Sequence, residues 1–193
     1  MINAGSAAPI APPGLPTLTL LLEELEARHP RVRTHCQAVA VLATRIAQTL
    51  GESEETVRVA APVHDIGKLG VPRAILDKPG PLNEREWRVV QSHPAEGERL
   101  LGPVLPGGDD VLAAVRSHHE RWDGSGYPDG LVADETPLAA RIIAVADAFQ
   151  AMLETRPYRP GRSPGRALDE LDEHAGTQFD PDCVSALRLA LQS

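Results

Sequence analysis

Cysteine is nearly absent. Cys36 and Cys183 are the only two in 193 residues, too few for a disulfide framework, and Cys36 falls inside a helical pattern where a buried thiol is the ordinary reading. Lysine is equally scarce: apart from Lys68 and Lys78, every basic side chain other than histidine is an arginine. Lys78 reads as a solvated turn residue, which leaves Lys68 conspicuous. Positive charge is in deficit overall, with a formal net charge of −8 and a pI near 5.3. That balance disfavours DNA, RNA or an anionic membrane as a nonspecific partner, and leaves a small anionic ligand only a local pocket. No apolar run approaches the ~18 residues of a membrane span. Residues 1 to 17 lack the basic start and sustained apolar stretch of a secretion signal, so a cytoplasmic protein is expected. Strand-like alternation and internal repeats are also missing.

What is present is helical periodicity. Residues 1–16 read as a flexible Pro/Ala-rich leader and 17–193 as one domain, because a chain of this length buries one good core and would crowd a second. A first helix fits Thr17 to Arg28, with Leu18, Leu21, Leu22 and Leu25 on one face, and could pair with a second copy. Pro30 opens a second, which carries His35, Val39, Leu42, Ile46 and Leu50 near helical spacing and stops at Gly51. A third begins after Ser53 and delivers His64-Asp65, with Pro62 expected to kink it. Asn83 and Glu86 have the spacing of a capping box ahead of a helix running toward His93-Pro94. Asp109-Asp110, Thr136-Pro137, Ser163-Pro164 and Asp180-Pro181 mark four more starts. The expected fold class is all-α and bundle-like, with functional residues on inward helix faces and one long glycine-rich loop.

The chemistry concentrates in His118-His119-Glu120-Arg121-Trp122-Asp123-Gly124-Ser125-Gly126-Tyr127-Pro128, read together with His64-Asp65. Neighbouring imidazoles followed by an acid suit a site with more than one divalent cation, since imidazole and carboxylate are the usual ligands of Zn, Fe or Mn. Asp147 is flanked by Ile143, Ala144, Val145 and Ala146; a charge in apolar surroundings needs a partner such as a metal.

His64-Asp65-Ile66-Gly67-Lys68, His93-Pro94, His118-His119-Glu120, Asp123 through Pro128, and Asp147 resemble the HD-GYP branch of the HD phosphohydrolase superfamily, over residues 30 to 185. The resemblance implies an HD-domain-like helical bundle and a phosphodiesterase that opens cyclic di-GMP to pGpG, with onward hydrolysis to GMP as an option. It implies that His35, His64, Asp65 and Asp147 hold one cation and His93, His118 and His119 a second, with Asp65 bridging. A carboxylate has two oxygens and can span two cations. His118 and His119, about 100° apart if helical, would by that angle suit different metals better than one. Fe or Mn is favoured over Ca or Mg for such ligands. Two cations could make hydroxide available from a bridging water to attack phosphorus.

Lys68 would stabilise charge developing on the phosphoryl oxygens. Arg156 and Arg159 match the segment that holds the second phosphate or a guanine. Tyr127 shapes the loop beside the pocket, and Glu120 and Asp123 could orient ligands from behind. Three departures from the family pattern stand out. Arg31 occupies the place of a glutamate that serves a third metal in some members, which limits the expectation to two; Gln150 replaces an acid; Pro62 replaces an apolar helix residue. Two other readings stay open. One is a cyclic-dinucleotide sensor that offers the Gly-Tyr-Pro loop to a partner such as a diguanylate cyclase. The other is a one-metal nucleotidase, which would leave His93, His118 and His119 unexplained.

Overall fold

A computed structural model describes residues 17–155 and 160–192; the leader assigned to 1–16, together with Arg156 and Arg159, lies outside the described residues. Ten α-helices are found among those described: α1 (Leu18–Arg28), α2 (Pro30–Leu50), α3 (Glu55–Ala60), α4 (Arg73–Leu76), α5 (Glu84–Gln91), α6 (His93–Leu101), α7 (Asp109–Ser117), α8 (Leu138–Leu153), α9 (Pro164–Glu173) and α10 (Pro181–Ala190). Extended pairing is limited to the isolated bridges Asp123 with Val132 and Ala175 with Phe179, so the all-α expectation holds. No helix there is long and apolar enough to cross a membrane.

The helix ends follow the local chemistry. Thr17, Asn83, Ser163 and Asp180 cap α1, α5, α9 and α10 by accepting backbone N–H groups, and Asn83 with Glu86 forms the reciprocal capping box. Gly51 closes α2 at φ 73°, a left-handed conformation that costs glycine nothing. Pro62 departs from expectation. Instead of kinking a continuous helix it ends one: α3 stops at Ala60 and the chain enters a tight turn at Ala61–Val63. Without an N–H, Pro62 cannot continue the ladder, and the tightened turn leads directly to His64 and Asp65. A second tight turn, Ile66–Gly70, follows.

α2 is the central helix and packs on α8 and α10. Fully buried small residues, Ala43 and Ala47 on α2 with Ala140 and Ala146 on α8, let these helices approach closely, because interaxial distance is set by the side chains at the contact. Larger residues, Ile46, Ile142, Ile143 and Leu187, fill the remaining space. The close approach brings the start of α2 to the end of α8, where His35 meets Asp147. At the other side α6 lies against the Ile66–Gly70 turn and α7 against α6. Residues far apart in the chain thus converge at one end of α2.

Candidate metal centre

The convergence forms two adjoining nests of donor atoms. Asp65, His93, His118 and His119 make one, and His35, His64 and Asp147 the other, each within 4.8 Å in ligand-atom spacing. The seven residues that the motifs singled out as ligands therefore lie together. Asp65 stands at the join. Its Oδ1 is 3.1 Å from His93 Nε2 and 3.8 Å from His118 Nε2, while its Oδ2 is 3.5 Å from His64 Nε2 and 2.5 Å from Lys68 Nζ. One carboxylate thus presents an oxygen to each side.

Three imidazoles have their orientation fixed by the backbone three residues earlier. The Nδ1 atoms of His64, His93 and His118 lie 2.8, 2.7 and 2.7 Å from the carbonyls of Ala61, Val90 and Val115. A carbonyl only accepts, so each Nδ1 carries a proton, and in the neutral ring each Nε2 turns a lone pair into the centre. The Nε2 atoms of His93 and His118 are then 3.2 Å apart with no proton to share. His64 Nε2 and Asp65 Oδ1 are buried without a hydrogen-bond partner. Unpaired buried acceptors are costly, and a divalent cation among them satisfies all of them at once. The residues present therefore fit such a cation.

Electrostatics point the same way for His118 and His119, whereas at His64 burial is outweighed by Cys36 and Asp65, which raise that ring to about 10 from 6.5, so a cation entering there must displace a proton. Burial first, and then the His119, His64 and His93 imidazoles, push His118 well below the ordinary histidine range, and burial followed by His93 pulls His119 down to about 3. Both rings stay neutral and able to ligate. Burial works against the charge on Asp65, but Lys68, His64 and His93 outweigh it and hold the carboxyl well below its usual value. His118 and His119 share one nest, contrary to the divergence expected of consecutive helical residues. The reason is that α7 ends at Ser117, so His119 sits in the following turn and the two ring centroids are 4.2 Å apart.

His35 is held differently. Its Nε2 is 2.7 Å from Asp147 Oδ1 and its Nδ1 2.7 Å from Glu154 Oε1. Glu154 was missed in the sequence. The signal available was its position seven residues after Asp147, about two turns on and just past the end of α8. A carboxylate behind a ligating histidine fixes its tautomer and raises its basicity, and removing such a partner typically costs about 10 to 100-fold in metal affinity or activity. Glu154→Gln should lose that much cation affinity, measured by equilibrium metal binding.

Burial lowers the pKa of His35, yet the hydrogen bonds to Asp147 and Glu154 exceed it and raise the ring to about 9 from 6.5. Before a cation binds, this raised value stabilises the fold fully below pH 6.5, and the stabilisation is lost as pH rises through about 9. A cation must displace the proton on Nε2, so its affinity should climb by up to about tenfold per pH unit across that window.

Glu120 and Asp123 touch none of the candidate ligands. Glu120 is buried, and its carboxylate accepts backbone N–H groups of Asp129, Gly130 and Leu131 at 2.7 to 3.2 Å, which folds the loop after Tyr127 back on itself. Asp123 accepts from Ser125 and Arg121 at the loop surface. The partners of Glu120 are backbone N–H groups with no side-chain signature, so spacing gave no sign of them. Glu120→Gln replaces an acceptor oxygen by a donor facing N–H groups. It should cost about 1–3 kcal/mol, a fall in Tm of about 2–4 °C for each kcal/mol, read by thermal unfolding. Gly126 is required where it stands, since a Cβ there would lie 2.4 Å from Arg121 N. Tyr127 stacks on His119 with centroids 5.0 Å apart. Arg31 is exposed in the first turn of α2, and Gln150 is half-buried one turn after Asp147 on α8.

Among the described residues, an all-helical fold gathers five histidines and two aspartates into adjoining nests, which defines a helical protein with a candidate metal centre. A model of the HD domain family matches residues 19–183, and the chain belongs to that family, its motif set placing it in the HD-GYP branch. It is 45% identical over 176 residues to the cyclic di-GMP phosphodiesterase response regulator RpfG of Xanthomonas campestris pv. campestris, a match covering 89% of this chain and 46% of that protein. It is 44% identical over 171 residues to 3′3′-cGAMP-specific phosphodiesterase 3 of Vibrio cholerae, covering 86% and 37%. The chain therefore spans less than half the length of these curated relatives. Bd1817, an HDG"Y"P protein from Bdellovibrio bacteriovorus, superimposes with a TM-score of 0.67 at 21% identity, over 84% of this chain and 53% of that one, which establishes likeness of fold.

Proposed function

We propose that the chain is a metal-dependent phosphodiesterase acting on a cyclic dinucleotide, cyclic di-GMP before others, to give pGpG, with onward hydrolysis to GMP as an option. The observation that carries this reading is that the Nε2 atoms of His93 and His118 and the unpartnered Oδ1 of Asp65 face one another inside the fold. The names of the relatives supply the substrate class; the relative named for 3′3′-cGAMP makes that nucleotide the second candidate. Two divalent cations, Fe or Mn, held by the seven ligands with Asp65 between them, would supply Lewis acidity toward phosphoryl oxygens and a hydroxide nucleophile from water at neutral pH.

The chain's own side chains do the rest. Lys68, a fifth exposed and 2.5 Å from Asp65 Oδ2, places an ammonium at the edge of the centre, where a nonbridging oxygen would approach and gain charge. Tyr127 lays its ring on His119 and forms one wall. Glu154 keeps His35 turned toward Asp147. Arg156 and Arg159 are assigned to the second phosphate or a guanine by the resemblance of their segment to that of the family, for which arginine's planar fork is suited. We place this activity in the cytoplasm, within the unit 17–193, under control of a diguanylate cyclase or sensor protein. Metal analysis of the purified protein, combined with turnover of cyclic di-GMP and 3′3′-cGAMP and resolution of the products, tests the reading. Two equivalents of Fe or Mn and chelator-sensitive hydrolysis of cyclic di-GMP are expected. Tight nucleotide binding with no turnover by metal-replete protein would instead establish the sensor.

A further inference from the structure

Cys36 directly follows His35 on α2 and is fully buried. Its thiol belongs to neither nest in the ligand set above. Yet Sγ of Cys36, a ring nitrogen of His64 and a carboxylate oxygen of Asp65 all lie within 4.8 Å of one another. The second observation is the state of those neighbours: His64 Nε2 and Asp65 Oδ1 are buried and have no hydrogen-bond partner, while His64 Nδ1 is committed to the Ala61 carbonyl. Donors bound to one cation at about 2.0–2.3 Å stand about 3 Å apart when adjacent in an octahedron and about 4.4 Å when opposite. The three donor atoms, within 4.8 Å of one another, lie close to that spacing.

We propose that Cys36 is a thiolate ligand of a cation that His64 and Asp65 share, and that it biases this position toward Fe(II), Co(II) or Zn(II) and away from Mn(II). The inference rests on the metal-centre reading and adds a ligand outside the motif set. On binding, the S–H bond breaks, its proton passes to solvent, and the sulfur lone pair bonds the cation; no oxidant is involved. Thiolate is a soft ligand, preferred by Fe, Co and Zn over Mn or Mg, which favour oxygen donors. Cys183 is the internal comparison. It is equally buried, with its thiol pushed up by burial and by the neighbouring Asp180, and it has no histidine group around it.

The test is cobalt substitution in the full chain. The wild type should show visible d–d bands, which report the imidazole and carboxylate ligands, and a near-ultraviolet sulfur-to-cobalt charge-transfer band. Cys36→Ser should lose the charge-transfer band and keep the d–d bands, and Cys183→Ser should keep both. X-ray absorption of the zinc-loaded wild type should show a sulfur neighbour at about 2.3 Å, a measurement that needs no variant should Cys36→Ser fail to fold. Preference for Zn over Mn in competition should fall by about tenfold in Cys36→Ser. Cobalt d–d bands without sulfur charge transfer or a sulfur neighbour overturn the thiolate and leave the metal centre standing. No cobalt uptake at all overturns the metal centre and the thiolate with it.

Discussion

Asp65→Ala is expected to abolish cyclic dinucleotide hydrolysis while the helices stay folded. Both oxygens of this carboxylate are engaged, Oδ1 toward His93 and His118 and Oδ2 toward His64 and Lys68, so one truncation removes a donor from each nest. A Lewis-acid cation supplies several kcal/mol to a phosphoryl transition state. Each 1.4 kcal/mol is tenfold in rate, which puts the loss at about 10³-fold or more. Metal content should fall from two equivalents toward one or none. The fold survives because the partner left behind, the Lys68 ammonium, is a fifth exposed and can turn to water. It therefore escapes most of the penalty of an uncompensated buried charge. Asp65→Asn, which keeps the volume, should match the alanine variant in activity if charge and ligation are what matter. Full turnover with two metals bound in Asp65→Ala would remove the shared carboxylate from the mechanism.

The elements that could be read from the sequence are those whose cause is local. Thr17, Asn83, Ser163 and Asp180 announce helix starts because an N-cap side chain acts within three residues. The ligand residues were legible because metal chemistry restricts which residue types can occur together, and the motif from His118 to Pro128 is long. What stayed hidden depends on pairs distant in the chain or on backbone groups. Glu154 reaches His35 across the junction of α8 with α2. Glu120 acts on N–H groups that every residue but proline carries. Cys36 reads as core filler until His64 is placed beside it. Whether Pro62 bends a helix or ends it was decided by the turn that carries His64 and Asp65, a tertiary demand that overrides the helical pattern.

Gly67→Ala is expected to be the most damaging single methyl in the molecule, and it ties the fold to the centre. A Cβ at Gly67 would lie 1.9 Å from the His93 carbonyl oxygen and 2.5 Å from the Gly97 nitrogen. Both are backbone atoms of α6, so no rotamer change relieves the overlap and the helix itself must move. Overpacked cores lose 1–3 kcal/mol when side chains can adjust; with backbone on the far side the cost should reach about 3 kcal/mol or more, a drop in Tm of about 6–12 °C. The displacement acts on catalysis as well. The first turn of α6 carries His93, whose Nε2 must stay near Asp65 Oδ1, now 3.1 Å away, for the two to share a cation. Gly70→Ala, three residues along the same turn, is the matched control: its new Cβ would meet only the flexible side chain of Glu96, at 3.4 Å, and should change stability by less than about 0.5 kcal/mol. Thermal unfolding with metal analysis of the pair separates the two effects. If Gly67→Ala retained both metals and melted with the wild type, the close seating of α6 on the Ile66–Gly70 turn could not be what sets His93 against Asp65.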